Sequence, residues 1–398
     1  MRRRLYLPLL HCFHSTSPRT LWCLALLRAS IVSLLIALSV GSVQAVYDPT
    51  SVPNNRFGIH ILFPEEINDA AKFVNSSSGD WGYVTIPIQS VDRNLDKWQK
   101  FLDDCQKLHV IPIIRIATYT IGPIWAKPGN FEAIDWANFL DSLDWPTKNR
   151  YIIVYNEPNR AAEWGGTLNP GEYASVLADT YDALKIRNED FYILNAGFDA
   201  AAPTNNELMD LYQYLMAMNG AYPGIFQKID GWASHSYPNP GFSSHPYNYS
   251  RMGIRSYQHE LSFLQDNFGV YGLKVFITET GWQKGKLSEK TISDYYLEAF
   301  KEIWTDEYLI AISPFLLTAG GQFENFAWLL PGGMETDYYK TVIQVNKIKG
   351  EPNLAERVIK NVTKKSTNKF NEQFKKLTNW PKLKINYWQK FFKWMFNY

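Results

Sequence analysis

Two glutamates in this 398-residue chain stand where apolar, β-rich runs stop. The first run is Tyr151-Ile152-Ile153-Val154-Tyr155-Asn156-Glu157-Pro158-Asn159, and Pro158 cannot donate to a strand ladder, so a strand must end near Glu157. The second, Lys274-Val275-Phe276-Ile277-Thr278-Glu279-Thr280-Gly281-Trp282, delivers Glu279 in the same way. Neither run alternates polar with apolar residues, which suits parallel strands covered on both faces. Hydrolysis of a glycosidic bond needs a proton donor for the leaving oxygen and a second carboxylate as nucleophile or base. Two glutamates held on separate strands can be kept at the required separation.

The elements that would position them recur along the chain. Eight short apolar runs, at 57–63, 82–88, 110–117, 151–155, 191–196, 229–234, 275–278 and 312–317, alternate with segments of helical periodicity at 65–74, 95–108, 133–143, 171–186, 207–218, 252–268 and 289–304. Eight such repeats in about 290 residues predict an α/β fold of the (β/α)8 TIM-barrel type. No glycine-rich phosphate loop follows the first run, so a dinucleotide-binding doubly wound sheet is the weaker reading. Numbered in order, Glu157 ends the fourth run and Glu279 the seventh.

With Asn156-Glu157-Pro158, His235-Ser236-Tyr237-Pro238 and Ile277-Thr278-Glu279-Thr280-Gly281-Trp282 in this strand order, residues 55–345 resemble the superfamily of retaining (β/α)8 glycoside hydrolases of cellulase and β-glycosidase type. The resemblance implies that Glu157 is the acid/base and Glu279 the nucleophile, with carboxyl groups about 5–5.5 Å apart. Glu157 would have to stay protonated near neutral pH, favoured by burial and by the charge of Glu279. Glu279 would have to stay ionised. Arg115, ending the third run, is placed to supply a positive charge nearby, or to make an ordinary salt bridge at the barrel mouth. Asn156 would contact the sugar 2-hydroxyl, or else cap a turn. His235 and Tyr237, two residues apart and so on one side, would link to the acid/base and donate to Glu279 respectively.

Sugars present flat C–H faces that stack on aromatic rings. Trp125, Trp164, Trp282 and Trp328 follow expected strand ends and are candidate platforms at the face where the glutamates lie. Trp328, in the loop 320–333, falls where the family keeps a ring beneath the reacting sugar, although the loop departs from the commonest spacing. Trp98, Trp136 and Trp304 fall in helical segments and are expected in the core.

The formal charge of +1 conceals a segregation, because residues 46–350 carry 24 Lys/Arg against 36 Asp/Glu. An acidic body disfavours a nucleic-acid grip and suits an oligosaccharide or polysaccharide substrate. Residues 1–45 hold five arginines, the apolar stretch 31–40 and then Val43-Gln44-Ala45, which reads as a cleaved export signal or an uncleaved anchor and predicts a secreted or cell-surface protein. Residues 46–350 would be the catalytic domain, and 351–398 a basic, aromatic tail. That tail is either an interfacial segment for a membrane surface or cell wall, or a chain outside the packed body. Cys105 alone remains after the signal and is expected as a buried helix residue. No paired-cysteine or His-Glu-x-x-His signature occurs, so neither a metal nor another cofactor is expected. Besides hydrolysis, transglycosylation on the same scaffold, glycan binding without cleavage, and a purely structural ion-pair role for the glutamates stay open.

Overall fold

The structure is a computed structural model and describes residues 46–356. Eight parallel strands form one sheet: β1 (Gly58–His60), β2 (Gly82–Gln89), β3 (Val110–Ala117), β4 (Arg150–Val154), β5 (Phe191–Leu194), β6 (Gly231–His235), β7 (Lys274–Thr280) and β8 (Leu309–Pro314). Their spatial order is their sequence order. Phe57 bridges Ile312 in parallel, and the Leu317 N–H donates to the His60 carbonyl at 2.9 Å, so the eighth strand returns to the first. The expected (β/α)8 barrel is the fold.

The helices are α1 (Ile67–Val74), α2 (Leu95–Lys107), α3 (Glu132–Asp141), α4 (Pro170–Arg187), α5 (Leu211–Ala221), α6 (Ser256–Phe268), α7 (Glu289–Glu298) and α8 (Asp337–Val342). Helix α2 shows why the sequence makes them. Asn94 caps its first turn by accepting from the Lys97 N–H at 2.9 Å, and Trp98, Phe101, Leu102 and Cys105 recur at 3- and 4-residue steps along the buried face. Pro170 and the Asn169 side chain start α4 in the same spirit. Trp136 and Trp304 are buried with Trp98, and burial pushes the Cys105 thiol well above its usual range, which leaves it inert.

Tyr83, Tyr151, Tyr192 and Phe276 point into the barrel and pack ring on ring, with Tyr151 and Phe276 centroids 5.2 Å apart. This plug fills the lower barrel. The C-terminal ends of the strands, where a TIM barrel exposes its working face, lie beyond this plug.

Several boundaries differ from expectation. β1 is three residues long, and β8 begins at Leu309 rather than 312. The end of α7 winds into a π turn over Ala299–Ile303. The packed body continues past residue 350: the Lys148 N–H donates to Asn353 at 2.8 Å and the Ala355 N–H to Pro146 at 3.3 Å. The expected signal segment, and the tail from 357 onward, lie outside the described residues. Among the described residues no helix is long and apolar enough to cross a membrane.

Candidate active site

Glu157 is not on a strand. β4 ends at Val154, and the chain then turns through Tyr155 and Glu157, both with left-handed backbone, at φ 69° and 29°. Such torsions in non-glycine residues cost on the order of 1–3 kcal/mol each and persist where surrounding contacts fix them. Here the Glu157 N–H is fixed by the Gly197 carbonyl at 3.0 Å. Gly197 is needed for a second reason: a Cβ there would sit 2.1 Å from the His235 ring. The absent side chain lets His235, closing β6, reach across and meet Glu157, Nδ1 to Oε1, at 2.8 Å.

Glu279 lies inside β7 and is buried. Its Oε1 accepts from Arg115 Nη1 at 3.2 Å, and its Oε2 from the Tyr237 hydroxyl at 3.1 Å. Arg115 also donates to the Asn156 side-chain oxygen, which ties the residue before the acid to the guanidinium beside the nucleophile. One carboxylate oxygen from each glutamate and a ring nitrogen of His235 all lie within 4.8 Å of one another. A cation placed among these three groups would have to break the 2.8 Å bond between His235 and Glu157.

The electrostatics favour the anion at Glu279. Burial alone would raise the Glu279 carboxyl, but His235 and Arg115, with the Tyr237 hydrogen bond, hold it below its usual value. Burial would likewise lower His235, yet the charges of Glu279 and Glu157 raise it. Burial, reinforced by Glu279, pushes the Tyr237 phenol well up, so it remains a donor.

The sequence reading missed three groups. Glu163, on the short turn Ala161–Glu163, is pushed up to about 7 by burial and by the charge of Glu157. Arg160 reaches toward Glu157 at 3.6 Å while paired with Asp199 at 2.7 Å. His60, at the end of β1, is fully buried 3.7 Å from Glu279. Only the turn after Asn-Glu-Pro could have pointed to Arg160 and Glu163. His60 had a visible signal, a histidine closing the first strand, and it was passed over.

Three expected platforms are core residues instead. Trp164 and Trp328 are 1% exposed and Trp282 2%, so none presents a ring face to a cleft. The loops after their strands fold back onto the helical layer. The Trp164 indole N–H donates to Glu172, that of Trp282 to the Ser244 carbonyl, and Trp328 packs among Phe73, Tyr296 and Tyr338. Trp125 is half-buried in a two-strand hairpin with Thr120 and Ile121. Exposed aromatic rings in the loops after strand ends include Phe63, Tyr119 and Phe323, beyond β1, β3 and β8, and Tyr247 and Tyr249, beyond β6. A search restricted to tryptophan overlooked them.

No family model and no curated protein matches this sequence. Solved structures do resemble it. A family 39 glycoside hydrolase from Bacteroides cellulosilyticus WH2 aligns at 15% identity over 76% of this chain, with a TM-score of 0.51. This chain spans 65% of that enzyme's length. A fungal beta-1,4-galactanase aligns at 11% identity over 73% of this chain and 99% of its own, with a TM-score of 0.52. A GH5_18 protein from Streptomyces cattleya, solved with Manb1-4GlcNAc, aligns at 12% identity over 74% of this chain and 80% of its own, with a TM-score of 0.51. These structural neighbours are glycoside hydrolases, and the likeness establishes the shared barrel.

Proposed function

We propose that the protein is a retaining glycoside hydrolase acting on a β-linked glycan, with Glu157 as acid/base and Glu279 as nucleophile. The observation that carries this reading is the facing pair of carboxylates, with oxygens within 4.8 Å and unequal partners. That approach is in keeping with the short separation of retaining enzymes, about 5–5.5 Å between carboxyl groups.

In the first step an electron pair of Glu279 forms a bond to the anomeric carbon while the glycosidic C–O bond breaks. The proton of Glu157 passes to the leaving oxygen. Arg115 and Tyr237 keep Glu279 anionic until that moment, and the His235 hydrogen bond holds the Glu157 carboxyl toward the cleft. In the second step Glu157 takes a proton from water, the water oxygen bonds to the same carbon, and the Glu279 carboxylate leaves. Asn156, oriented by Arg115, is the amide for the 2-hydroxyl. Exposed Phe63, Tyr119 and Phe323, with Trp125, supply ring faces for further sugar units.

In this proposal residues 1–45 are an export signal or anchor for an extracellular or cell-surface enzyme, and the basic tail is a contact for an anionic membrane or wall polymer. The test is incubation of the purified chain with aryl β-glycosides and β-linked oligosaccharides, with NMR identification of the first anomer released. Release of the β-anomer supports the proposal. Saturable glycan binding with no cleavage of any substrate would make the protein a lectin-like barrel, and release of the α-anomer would make it an inverting enzyme.

A further inference from the structure

His60 is an expensive residue for its position. Its side chain is fully buried, and neither ring nitrogen has a partner at strict hydrogen-bond geometry, the Ile61 backbone being the one main-chain group near enough to act on the ring. Native interiors rarely leave such groups unpaired, and a phenyl ring would fill the same space without the loss. The ring is wedged edge-on against Phe315, with centroids 5.3 Å apart at 67°, which fixes its direction. Nε2 is directed at Glu279 Oε1, 3.7 Å away.

The two oxygens of Glu279 are not equivalent. Oε2 accepts from Tyr237 and lies 3.7 Å from His235 Nδ1, which is itself bonded to Glu157. Oε2 therefore faces the acid/base across the space where a scissile bond must lie. Oε1 is turned the other way, toward Arg115 on β3 and His60 on β1. Burial holds His60 down to about 3, so near neutral pH the ring brings no charge. A carboxylate oxygen can only accept, so a neutral imidazole serves Oε1 only in the tautomer with its hydrogen on Nε2.

We propose that His60 is a positioning residue for the nucleophile: its Nε2–H caps Oε1 of Glu279, closing to hydrogen-bond distance in the glycosyl-enzyme, and thereby reserves Oε2 for attack on the sugar. This rests on the glycosidase reading above. Once Oε2 is esterified, Oε1 becomes a carbonyl with lone pairs fixed in the ester plane, and the imidazole is the neutral donor that faces it. When the ester breaks, the same donor supports the departing carboxylate. A second arginine there would bring a full charge, which would oppose protonation of His235 and cling to the free carboxylate. A neutral donor avoids both.

Two measurements test it. In 15N-histidine-labelled wild-type protein, a panel of 2-deoxy-2-fluoro β-glycosides with dinitrophenolate leaving groups is used to trap the intermediate, and mass spectrometry locates the adduct. On trapping, the His60 Nε2–H proton should move downfield. A labelled Glu279 with an unshifted His60 resonance would overturn the proposal and leave the glycosidase reading intact. No adduct on Glu279 with any glycoside sinks that reading and the proposal with it. The second measurement is the pH profile of His60→Phe, which keeps the ring and loses both nitrogens. The groups facing Glu279 in this variant remain Arg115, His235, Tyr237, Glu157 and Glu163. Loss of the ring N–H dipole 3.7 Å from Oε1 should raise the nucleophile's pKa in the free enzyme and shift the acidic limb of kcat/KM to higher pH, and loss of the hydrogen bond that closes during glycosylation should lower the plateau about tenfold. His60→Gln, which keeps an N–H, should recover part of both effects. A folded His60→Phe enzyme with an unmoved limb and wild-type plateau contradicts the proposal. If that variant does not fold, the trapping experiment decides alone.

Discussion

At Glu163 a carboxyl sits in a site already crowded with negative charge, and its proton is the one most easily read in stability. Its folded-state pKa, about 7, exceeds the ordinary value of 4.5 because of burial and Glu157. Above pH 4.5 the unfolded chain ionises this group while the native state retains its proton, so stability falls as pH rises from 4.5 to about 7 and the loss is complete above that. Glu163→Gln mimics the protonated form. It should raise stability by about 1–3 kcal/mol at pH 8 and leave it unchanged near pH 4, as measured by urea unfolding at the two pH values. Glu279 has the opposite sign, since its pKa is held down. Activity should persist into mildly acidic solution and disappear as pH falls through that lowered value. Arg115→Met removes the 3.2 Å partner of Oε1 and should shift the acidic limb upward, with kcat/KM falling about 100-fold or more.

At the scale of elements, β4 and β6 meet through a glycine. Gly197→Ala places a methyl carbon where the His235 ring now lies, so the ring must leave Glu157 or the loop after β5 must move. The expected result is a folded protein with kcat reduced about 10- to 100-fold and KM nearly unchanged, because the affected group acts in bond breaking more than in binding. Comparable kinetics in the variant would show that His235 has room to spare. These contacts mark the limit of what the sequence displayed. The glutamates that close apolar runs, Arg115 and the His235–Tyr237 pair were legible because apolar runs and two-residue spacing are local patterns. The tryptophans were not, because exposure is set by how a loop folds back. Trp282 follows Glu279 by three residues and still turns into the helical layer, where Tyr295, Tyr296 and Trp304 surround it. His60 and Gly197 acquire meaning only through neighbours more than 35 residues away in sequence. The left-handed backbone at Tyr155 and Glu157 had no signal beyond the proline that follows.

For the whole molecule, the barrel keeps its plug of aromatic rings below and its charged groups above, so catalysis should depend little on chain beyond the packed body. Residues 351–355 hydrogen-bond to that body and must be kept. Deleting 357–398 should leave turnover of a small aryl glycoside within about twofold, and should abolish low-salt binding to anionic vesicles or wall polymer that salt reverses. Loss of folding on that deletion would show that the tail packs on the barrel. The division of labour between the two glutamates is the centre of the account, and azide rescue measures it most directly. Glu157→Ala lacks the proton donor and the base, so an activated aryl glycoside should still form the glycosyl-enzyme and stall there until azide attacks, giving a glycosyl azide of retained configuration. Glu279→Ala cannot form that intermediate, and azide entering in place of the nucleophile should give the inverted product. Azides of the same configuration from both variants, or either alanine variant with full activity on a natural glycan, would contradict the assignment of acid/base and nucleophile.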